Sequence, residues 1–325
     1  MRWSALPAEI LWTLGAVVAV LVVSSLFSWQ LARRHPEKDY RELRARIRTW
    51  WWMIGLFCGA LIVGPTTSIL FFALVSFLAF REFVALAPPQ SDNRNIILWA
   101  YAAIGVQYYW VYAAWYGLFI IFIPVFMFLL LPLRTIIAGA TTGFVAAAST
   151  LQWGLMTTTF SLSHAAYLLV LHPGLHPRVA PAWPSAAAAE SPGLGFVVFL
   201  ILLTELNDVA QYLWGKSLGR RRIAPKVSPN KTVAGFLGGV GTTTAVASLL
   251  GPRLTPMDWR YSLAAGSLIA LGGFVGDLSI SMLKRDLGVK DTGATLPGHG
   301  GVLDRVDSLT YSAPLYFHYV YYFFI

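Results

Sequence analysis

One polar stretch near the end of this largely apolar chain combines acidic, basic and glycine residues. Its sequence is SMLKRDLGVKDTGATLPGHGGVLDRVD, residues 281–307. Lys284, Arg285 and Arg305 could neutralise phosphate charge. The carboxylate of Asp304 is the kind of ligand that Mg²⁺ prefers, and Mg²⁺ usually binds together with substrate phosphates. Because glycine lets the backbone approach a phosphate closely, the stretch predicts a site where phosphates and a metal ion meet.

Two apolar segments upstream contain aspartates close to their polar ends. The first is TELNDVAQYLWGK, in which Glu205 and Asp208 share one helix face. The second is GGFVGDLSISMLKR, in which Asp277 and Ser281 begin a stripe that ends in two cations. Aspartate is costly in hydrocarbon and usually marks a site or a water-filled cavity. Asp208 and Asp277 therefore join Asp304 as predicted metal ligands.

A basic loop at residues 215–232 supplies further cations. Lys226 and Lys231 bracket Ser228-Pro229, which predicts a local turn between them. These two lysines are well placed to meet a nucleotide triphosphate. The three arginines at 220–222 could equally meet anionic lipid headgroups.

The composition is that of a membrane protein. Of 325 residues, 57% are hydrophobic and 12% are charged, whereas a soluble domain has about 25% charged residues. Many apolar runs are long enough to cross roughly 30 Å of hydrocarbon as helices. The predicted fold class is all-α, a polytopic integral membrane helical bundle with about 9–10 transmembrane helices. The predicted spans are 9–31, 50–64, 66–84, 96–115, 117–133, 135–156, 194–214, 233–251, 260–284 and 308–325.

We expect three regions along the chain. Residues 1–49 form an N-terminal transmembrane helix and a basic cytoplasmic segment, 50–193 an N-terminal transmembrane bundle, and 194–325 the catalytic transmembrane region. The second and third spans, separated by Gly64-Pro65, could be one broken helix or a tight hairpin. Residues 157–171 could extend the sixth span or lie in the interface.

The loop charges predict the orientation. Residues 32–49 contain seven Lys or Arg and residues 215–232 contain six, and such loops tend to stay in the cytoplasm. Counting spans places the polar stretch at 286–307 on the same side, whereas the loop at 172–193 would lie outside. Residues 32–49 could also form a basic amphipathic helix on the membrane surface.

The net charge of +9 fits this membrane orientation and attraction to anionic lipid, so no nucleic acid partner is expected. The single cysteine, Cys58, excludes a disulfide within the chain and a zinc cluster of cysteines.

Other functions fit some of these residues. Intramembrane aspartates can pair with cations only to hold helices together, or can bind ions in a transporter. A transporter predicts polar residues near the midplane of several spans, whereas here they cluster at one face. His299, between two glycines, is more often a loop residue than a base.

These motifs together resemble the signature of the phosphatidate cytidylyltransferases, also called CDP-diacylglycerol synthases. The match is S-M-L-K-R-(x4)-K-D-T-G-(x2)-L-P-G-H-G-G-V-L-D-R-V-D, from Ser281 to Asp307, preceded by Gly276-Asp277-Leu278. Upstream, D-(x3)-Y-(x2)-G-K from Asp208 and A-P-K-V-S-P-(x)-K-T at 224–232 also agree. The resemblance is strong over about residues 200–325 and weaker before them, where Arg81-Glu82-Phe83 resembles a short family element.

The resemblance implies a Mg²⁺-dependent transfer of a cytidylyl group from CTP to phosphatidate for phospholipid biosynthesis. The products would be CDP-diacylglycerol and pyrophosphate. The resemblance also suggests a homodimer in a bacterial-type inner (plasma) membrane with its active site facing the cytoplasm, and leaves open a second, monovalent cation. The alternatives are a CTP-dependent transferase acting on another lipid acceptor and a degenerate, non-catalytic member that serves as a scaffold.

By the same resemblance, Asp277 and Asp304 would hold the metal centre, and Asp208 would support the metal or the cytidine. The residues expected to bind phosphate or substrate are Ser281, Lys284, Arg285, Lys226, Ser228, Lys231, His299 and Arg305. The chain departs from the family pattern at Ala234 and Ile280, where acidic residues or glutamine are usual. Glu205, one turn before Asp208, could compensate for the missing acidic contact.

Overall fold

A computed structural model describes residues 6–35, 37, 39–88, 95–139, 141–171, 192–296, 298 and 300–325. Most of the predicted outer loop and His299 lie outside these residues. The helices are α1 (Ala8–Arg34), α2 (Arg41–Val63), α3 (Pro65–Leu86), α4 (Asn95–Tyr112), α5 (Tyr116–Ile137), α6 (144–168), α7 (Pro192–Leu218), α8 (Val233–Leu254), α9 (Trp259–Asp286), α10 (Leu303–Val306) and α11 (Leu309–Phe324). Two short antiparallel strands, β1 (Arg222–Ala224) and β2 (Ser228–Thr232), lie between α7 and α8.

The architecture confirms the predicted polytopic helical bundle. Among the described residues, six helices are long and apolar enough to cross a membrane, namely α1, α3, α5, α7, α8 and α9. Large apolar side chains remain exposed along these helices, as expected for surfaces that face lipid.

Two predicted boundaries are wrong, and one open alternative is resolved. Helix α2 begins at Arg41, so the second half of the basic segment, residues 41–49, forms its first turns and does not form a separate surface helix. The fifth helix continues to Ile137, and α6 begins only at Phe144, because Gly139 and Gly143 adopt left-handed φ angles of 67°. Residues 155–160 are π-helical and continue into α-helix to Leu168, so of the two alternatives for the residues after 156 the structure has the extension of the sixth helix.

The second and third helices form a tight hairpin with a single residue between them. Gly64 has a φ of 145°, which side-chain-bearing residues rarely adopt, and Pro65 starts α3 at the first helical position. The Ser68 hydroxyl donates to the carbonyl of Ala60 at 3.0 Å, across the joint.

Helices α7, α8, α9 and α11 form the bundle that contains the predicted site. Helix α8 approaches α7 so closely that a Cβ on Gly235 would lie 2.7 Å from the Gln211 carbonyl oxygen. The buried Asn207 joins three helices, because its amide donates to the Ala270 carbonyl at 3.2 Å and accepts from Thr243 at 3.4 Å.

The polar ends of the helices meet at one end of this bundle. The end of α3 contacts the loop after α9 through Glu82, and the start of α11 contacts α7 through a Ser308–Asp208 hydrogen bond. The start of α2 reaches the same loop, since Gly298 packs against Ala45. This arrangement agrees with the predicted even number of helices, α2 to α7, between the two basic loops.

The close approach of α7 and α8 gives a matched pair of glycine substitutions. We expect Gly235→Ala to lower the melting temperature of the purified protein, because overpacking costs about 1–3 kcal/mol. Gly241→Ala, in the same helix but with open space around it, should leave the melting temperature unchanged or slightly higher. Thermal unfolding in detergent, followed by circular dichroism, measures both; equal melting temperatures would contradict the proposed packing.

Candidate active site

Three carboxylates from three elements gather at the polar end of the bundle. Asp208 belongs to α7, Asp277 to α9, and Asp307 to the turn between α10 and α11. Burial raises the pKa of Asp307 well above its usual range, and the negative charges of its neighbours Asp277 and Asp208 raise it further. Gly276 permits this approach, because a side chain there would collide with the Asp307 carbonyl.

Lys231 lies against this cluster from the β-hairpin. Its ammonium forms an ion pair with Asp277 at 2.5 Å, donates to the Gln211 side chain at 3.2 Å, and lies 4.9 Å from the ring centre of Phe274. The two charged side chains are only 16% and 24% exposed, so water screens the pair weakly. Thr232 then caps α8 by accepting from the Gly235 N–H, which fixes the end of the strand.

Two hydroxyl groups orient the aspartates. Ser281, one turn after Asp277, donates to its carboxylate at 3.1 Å. Ser308 donates to Asp208 at 2.8 Å. The other oxygen of Asp208 is buried and has no hydrogen-bond partner among the described residues. Ser281, predicted to bind phosphate, thus contacts a predicted metal ligand directly.

Asp304 holds the polar loop together in this structure. One of its oxygens accepts from Lys284 at 2.7 Å. The other accepts from the Thr292 N–H, the Thr292 hydroxyl and the Gly301 N–H at 2.8–2.9 Å. Burial raises the pKa of Asp304, but the bonds from Lys284, Gly301 and Thr292 outweigh it and keep that pKa below its usual value. Asp304 therefore stays ionised, and its oxygens are already engaged.

Glu82 is a second buried carboxylate beneath the same loop. At 5% exposure, it accepts from the Val302 and Leu303 N–H groups, both at 2.9 Å. The Thr295 hydroxyl donates to it at 2.6 Å. A side chain on Gly301 would collide with Glu82, so glycine is required at this contact. Helix α3 thus anchors the start of α10.

The other predicted residues surround this centre. Arg285 donates to the Val227 carbonyl at 3.1 Å and so ties the hairpin to the end of α9. Lys226 is exposed in the turn at 225–227, which lies before Ser228-Pro229 and not at it as predicted, because Ser228 begins β2. Arg305 has Asp208 as a charged neighbour, and its Nε is buried without a hydrogen-bond partner in the described part of the chain.

The departures from the family pattern lie close to the same centre. Ile280 is fully buried and packs in the apolar core. This chain therefore has an apolar contact at the position where the family pattern has an acidic residue. Glu205 has Asp208 and Arg305 as its charged neighbours, which places a carboxylate one turn from the cluster. Whether it compensates for Ala234 remains a prediction.

The donor set fits a divalent cation, although it is not a complete protein cage. Among the described residues, no group of three or more His, Cys, Asp or Glu side chains is arranged to hold a metal ion alone. The unpartnered oxygen of Asp208 nevertheless lies beside two further carboxylates. Mg²⁺ is commonly held by one or two carboxylates and completed by substrate phosphates and water, which suits this arrangement.

Three groups without a predicted role also lie in the site. Asp307, Gln211 and Glu82 contact or neighbour the predicted residues. A signal existed for Glu82, because it is a carboxylate near the end of a strongly apolar helix. No spacing rule could have joined it to a loop more than two hundred residues away.

Replacement of Glu82 tests how the loop is held. In Glu82→Gln an NH₂ group replaces one of the two oxygens that accept from the Val302 and Leu303 N–H groups. Because an NH₂ group cannot accept from an N–H group, both groups would stay buried without a partner, at a cost of about 1–3 kcal/mol each. We expect faster hydrogen exchange at the Val302 and Leu303 amides. Glu37→Gln, the same change at an exposed residue, should leave their exchange rates unchanged. Equal protection in both variants would exclude the anchoring role.

Comparison with known proteins agrees with the signature. A family profile described as "Cytidylyltransferase family" matches residues 44–323. The chain is 42% identical over 311 residues to "Uncharacterized protein YnbB" of Escherichia coli (strain K12), covering 95% of this chain and 98% of that protein.

Two similar proteins have a named activity. A "Phosphatidate cytidylyltransferase" of Synechocystis sp. is 41% identical over 151 residues, covering 45% of this chain and 51% of that protein. One of Staphylococcus saprophyticus is 39% identical over 132 residues, covering 39% and 49%. The chain thus matches about half the length of these enzymes. With the family profile matching most of its length, the chain is a member of the cytidylyltransferase family, a family of nucleotidyltransferases.

Proposed function

We propose that this protein transfers the cytidylyl group of CTP to phosphatidate, giving CDP-diacylglycerol and pyrophosphate. The observation that supports this most is the meeting of Lys231 with Asp208, Asp277 and Asp307 at the polar end of one bundle. Family membership and the two phosphatidate cytidylyltransferases supply the substrates of the proposal.

The chemistry requires two anions to approach each other. An oxygen of the phosphatidate phosphate forms a bond to the α-phosphorus of CTP, and the bond from that phosphorus to the bridging oxygen of the β-phosphate breaks. Pyrophosphate leaves with the bonding electrons. Because a phosphate monoester is already anionic, the enzyme has little need of a base and must mainly position the reactants and offset their charge.

The residues divide this task. Lys231, now paired with Asp277, offers a cation that can exchange its carboxylate partner for a phosphate oxygen. Arg285 and Lys226 lie on the hairpin side and extend positive charge toward solvent. Lys284, held by Asp304, keeps the loop in place and faces Asp307 as well.

Mg²⁺ is part of the proposal, with Asp208, Asp277 and Asp307 as its protein ligands. When bound, it would neutralise phosphate charge and orient the triphosphate. Asp304, expected to share this role, is better explained as the residue that shapes the loop, since four donors already occupy its oxygens. A second, monovalent cation and a homodimer remain proposals.

Pyrophosphate release from CTP, phosphatidate and Mg²⁺ tests the reaction with purified protein. We expect Asp277→Asn to lower turnover at least about a hundredfold, because it removes charge at the centre of the site. Asp286→Asn, the same change at the exposed end of the same helix, should keep near-normal turnover. Normal abundance with normal turnover in Asp277→Asn would overturn the assignment and favour a scaffold.

The lipid acceptor is tested separately. Radiolabelled CTP, offered with a panel of phospholipids, should label phosphatidate alone. Labelling of a different acceptor, with phosphatidate left unlabelled, would favour the alternative of another CTP-dependent lipid transferase.

We also propose that the site faces the cytoplasm of a bacterial inner membrane. In a Cys58→Ser background, Lys226→Cys on the hairpin should react with a membrane-impermeant maleimide only after the cells are permeabilised. Arg253→Cys, at the opposite end of α8, should react in intact cells. The reverse pattern would show that the orientation is inverted.

A further inference from the structure

A groove separates the end of α1 from the start of α2, apart from the carboxylate cluster. Its volume is about 360 Å³, and its lining includes Trp29, Arg44, Arg48, Trp51 and Ser28. We call it the α1–α2 groove. It combines cations, indole rings and a hydroxyl at the end of the bundle where the loop charges predict a membrane interface.

Ser28 is the first sign that the groove binds something. It is 2% exposed, and its hydroxyl has no hydrogen-bond partner among the described residues. Ser24 and Ser25, one turn earlier, each donate to a backbone carbonyl at 2.8 Å. Ser25 additionally accepts from the Trp51 indole at 3.0 Å. A buried hydroxyl without a partner is costly, so a polar ligand in the groove would remove that cost.

The positive charge of two arginines is the second sign that the groove binds a ligand. Arg41 and Arg46 on the same helix pair with Asp39 and Glu42. Within the described residues, no carboxylate lies within ion-pair distance of Arg44 or Arg48. The Arg44 charge also acts on Asp39, whose ion pair is with Arg41. Arg44 and Arg48 both line the groove and are complementary to an anion.

Tryptophan makes the same groove amphiphilic. Trp29, Trp51 and Trp52 line it and are 53%, 38% and 68% exposed. The Arg33 guanidinium stacks on the Trp29 ring at 3.7 Å. Exposed indoles beside arginines at a membrane interface suit a ligand with an anionic head and apolar chains.

We propose that the α1–α2 groove binds an anionic phospholipid of the surrounding leaflet, as a site separate from the reaction centre. Its phosphate would lie between Arg44 and Arg48, with the Ser28 hydroxyl donating to an ester oxygen and the acyl chains lying along the indoles. The proposal rests on this geometry and does not depend on the cytidylyl transfer proposed above.

The first turns of α2 link this groove to the polar loop. Arg44 and Arg48 line the groove, whereas Ala45 and Arg46 lie against Gly298. A bound lipid would therefore steady the helix that supports the loop held by Asp304.

Native mass spectrometry of the full-length protein in detergent, titrated with phosphatidylglycerol or phosphatidylcholine, tests the site. We expect one phosphatidylglycerol to bind about tenfold or more tightly than phosphatidylcholine, since each arginine near a headgroup contributes roughly a fivefold factor. Arg44→Gln with Arg48→Gln should abolish that preference. Arg253→Gln with Arg260→Gln, which removes the same charge at the opposite end of the bundle, should retain it.

Ser28→Ala and Ser24→Ala give a second test without a change of charge. The first should weaken phosphatidylglycerol binding several-fold, and the second should not. Equal binding of both lipids to the unmodified protein, or an equal loss in both double-arginine variants, would overturn the proposal. Displacement of the lipid by millimolar inorganic phosphate would show that the groove binds free phosphate and is not a phospholipid site. Pyrophosphate release, measured on the same samples, shows separately whether the proposed reaction occurs.

Discussion

Two buried carboxylates hold the polar loop on which the site depends. The described residues between α9 and α10 have little regular structure, so their backbone N–H groups need other acceptors where they are buried. Glu82 and Asp304 provide them: Asp304 accepts from two backbone N–H groups of this loop, and Glu82 accepts from its last residue, Val302, and from Leu303, the first residue of α10. The hydrogen bonds also stabilise the two carboxylates, because an unpaired buried charge is costly. Loop shape and buried charge thus stabilise each other.

The neighbouring cluster of Asp208, Asp277 and Asp307, in contrast, has fewer donors and cations among the described residues than its three carboxylates could accept. Lys231 is the cation paired with it, and one oxygen of Asp208 has no partner in the described part of the protein. Such concentrated negative charge is unfavourable unless a cation joins it. The fold therefore contains one satisfied pair of carboxylates that supports the loop and one under-neutralised group that is suited to bind metal and phosphate.

The sequence was sufficient for the fold class and for singling out Asp208, Asp277 and Lys231, which the structure brings together, because both follow from local patterns. Long apolar runs predict the helices, and a carboxylate on an apolar helix stands out, as Asp208 and Asp277 do. The limits of α5 and α6 were missed because the left-handed glycines at 139 and 143 interrupt a run that remains apolar throughout. Glu82 and Asp307 received no role since their partners come from distant parts of the chain. The different surroundings of Asp304 and Asp307 depend on hydrogen bonds and charged neighbours that spacing cannot reveal.

The single glycine between α2 and α3 bears on how this chain enters a bilayer. Both outer ends of the pair, at Arg41 and Leu86, lie on the side of the polar loop, and Gly64 alone forms the far turn. The two helices have no hydrophilic connector that would need to be carried across. They are therefore suited to insert together as one helical hairpin, which returns Glu82 to the same end of the bundle as the start of α2, beside the polar loop.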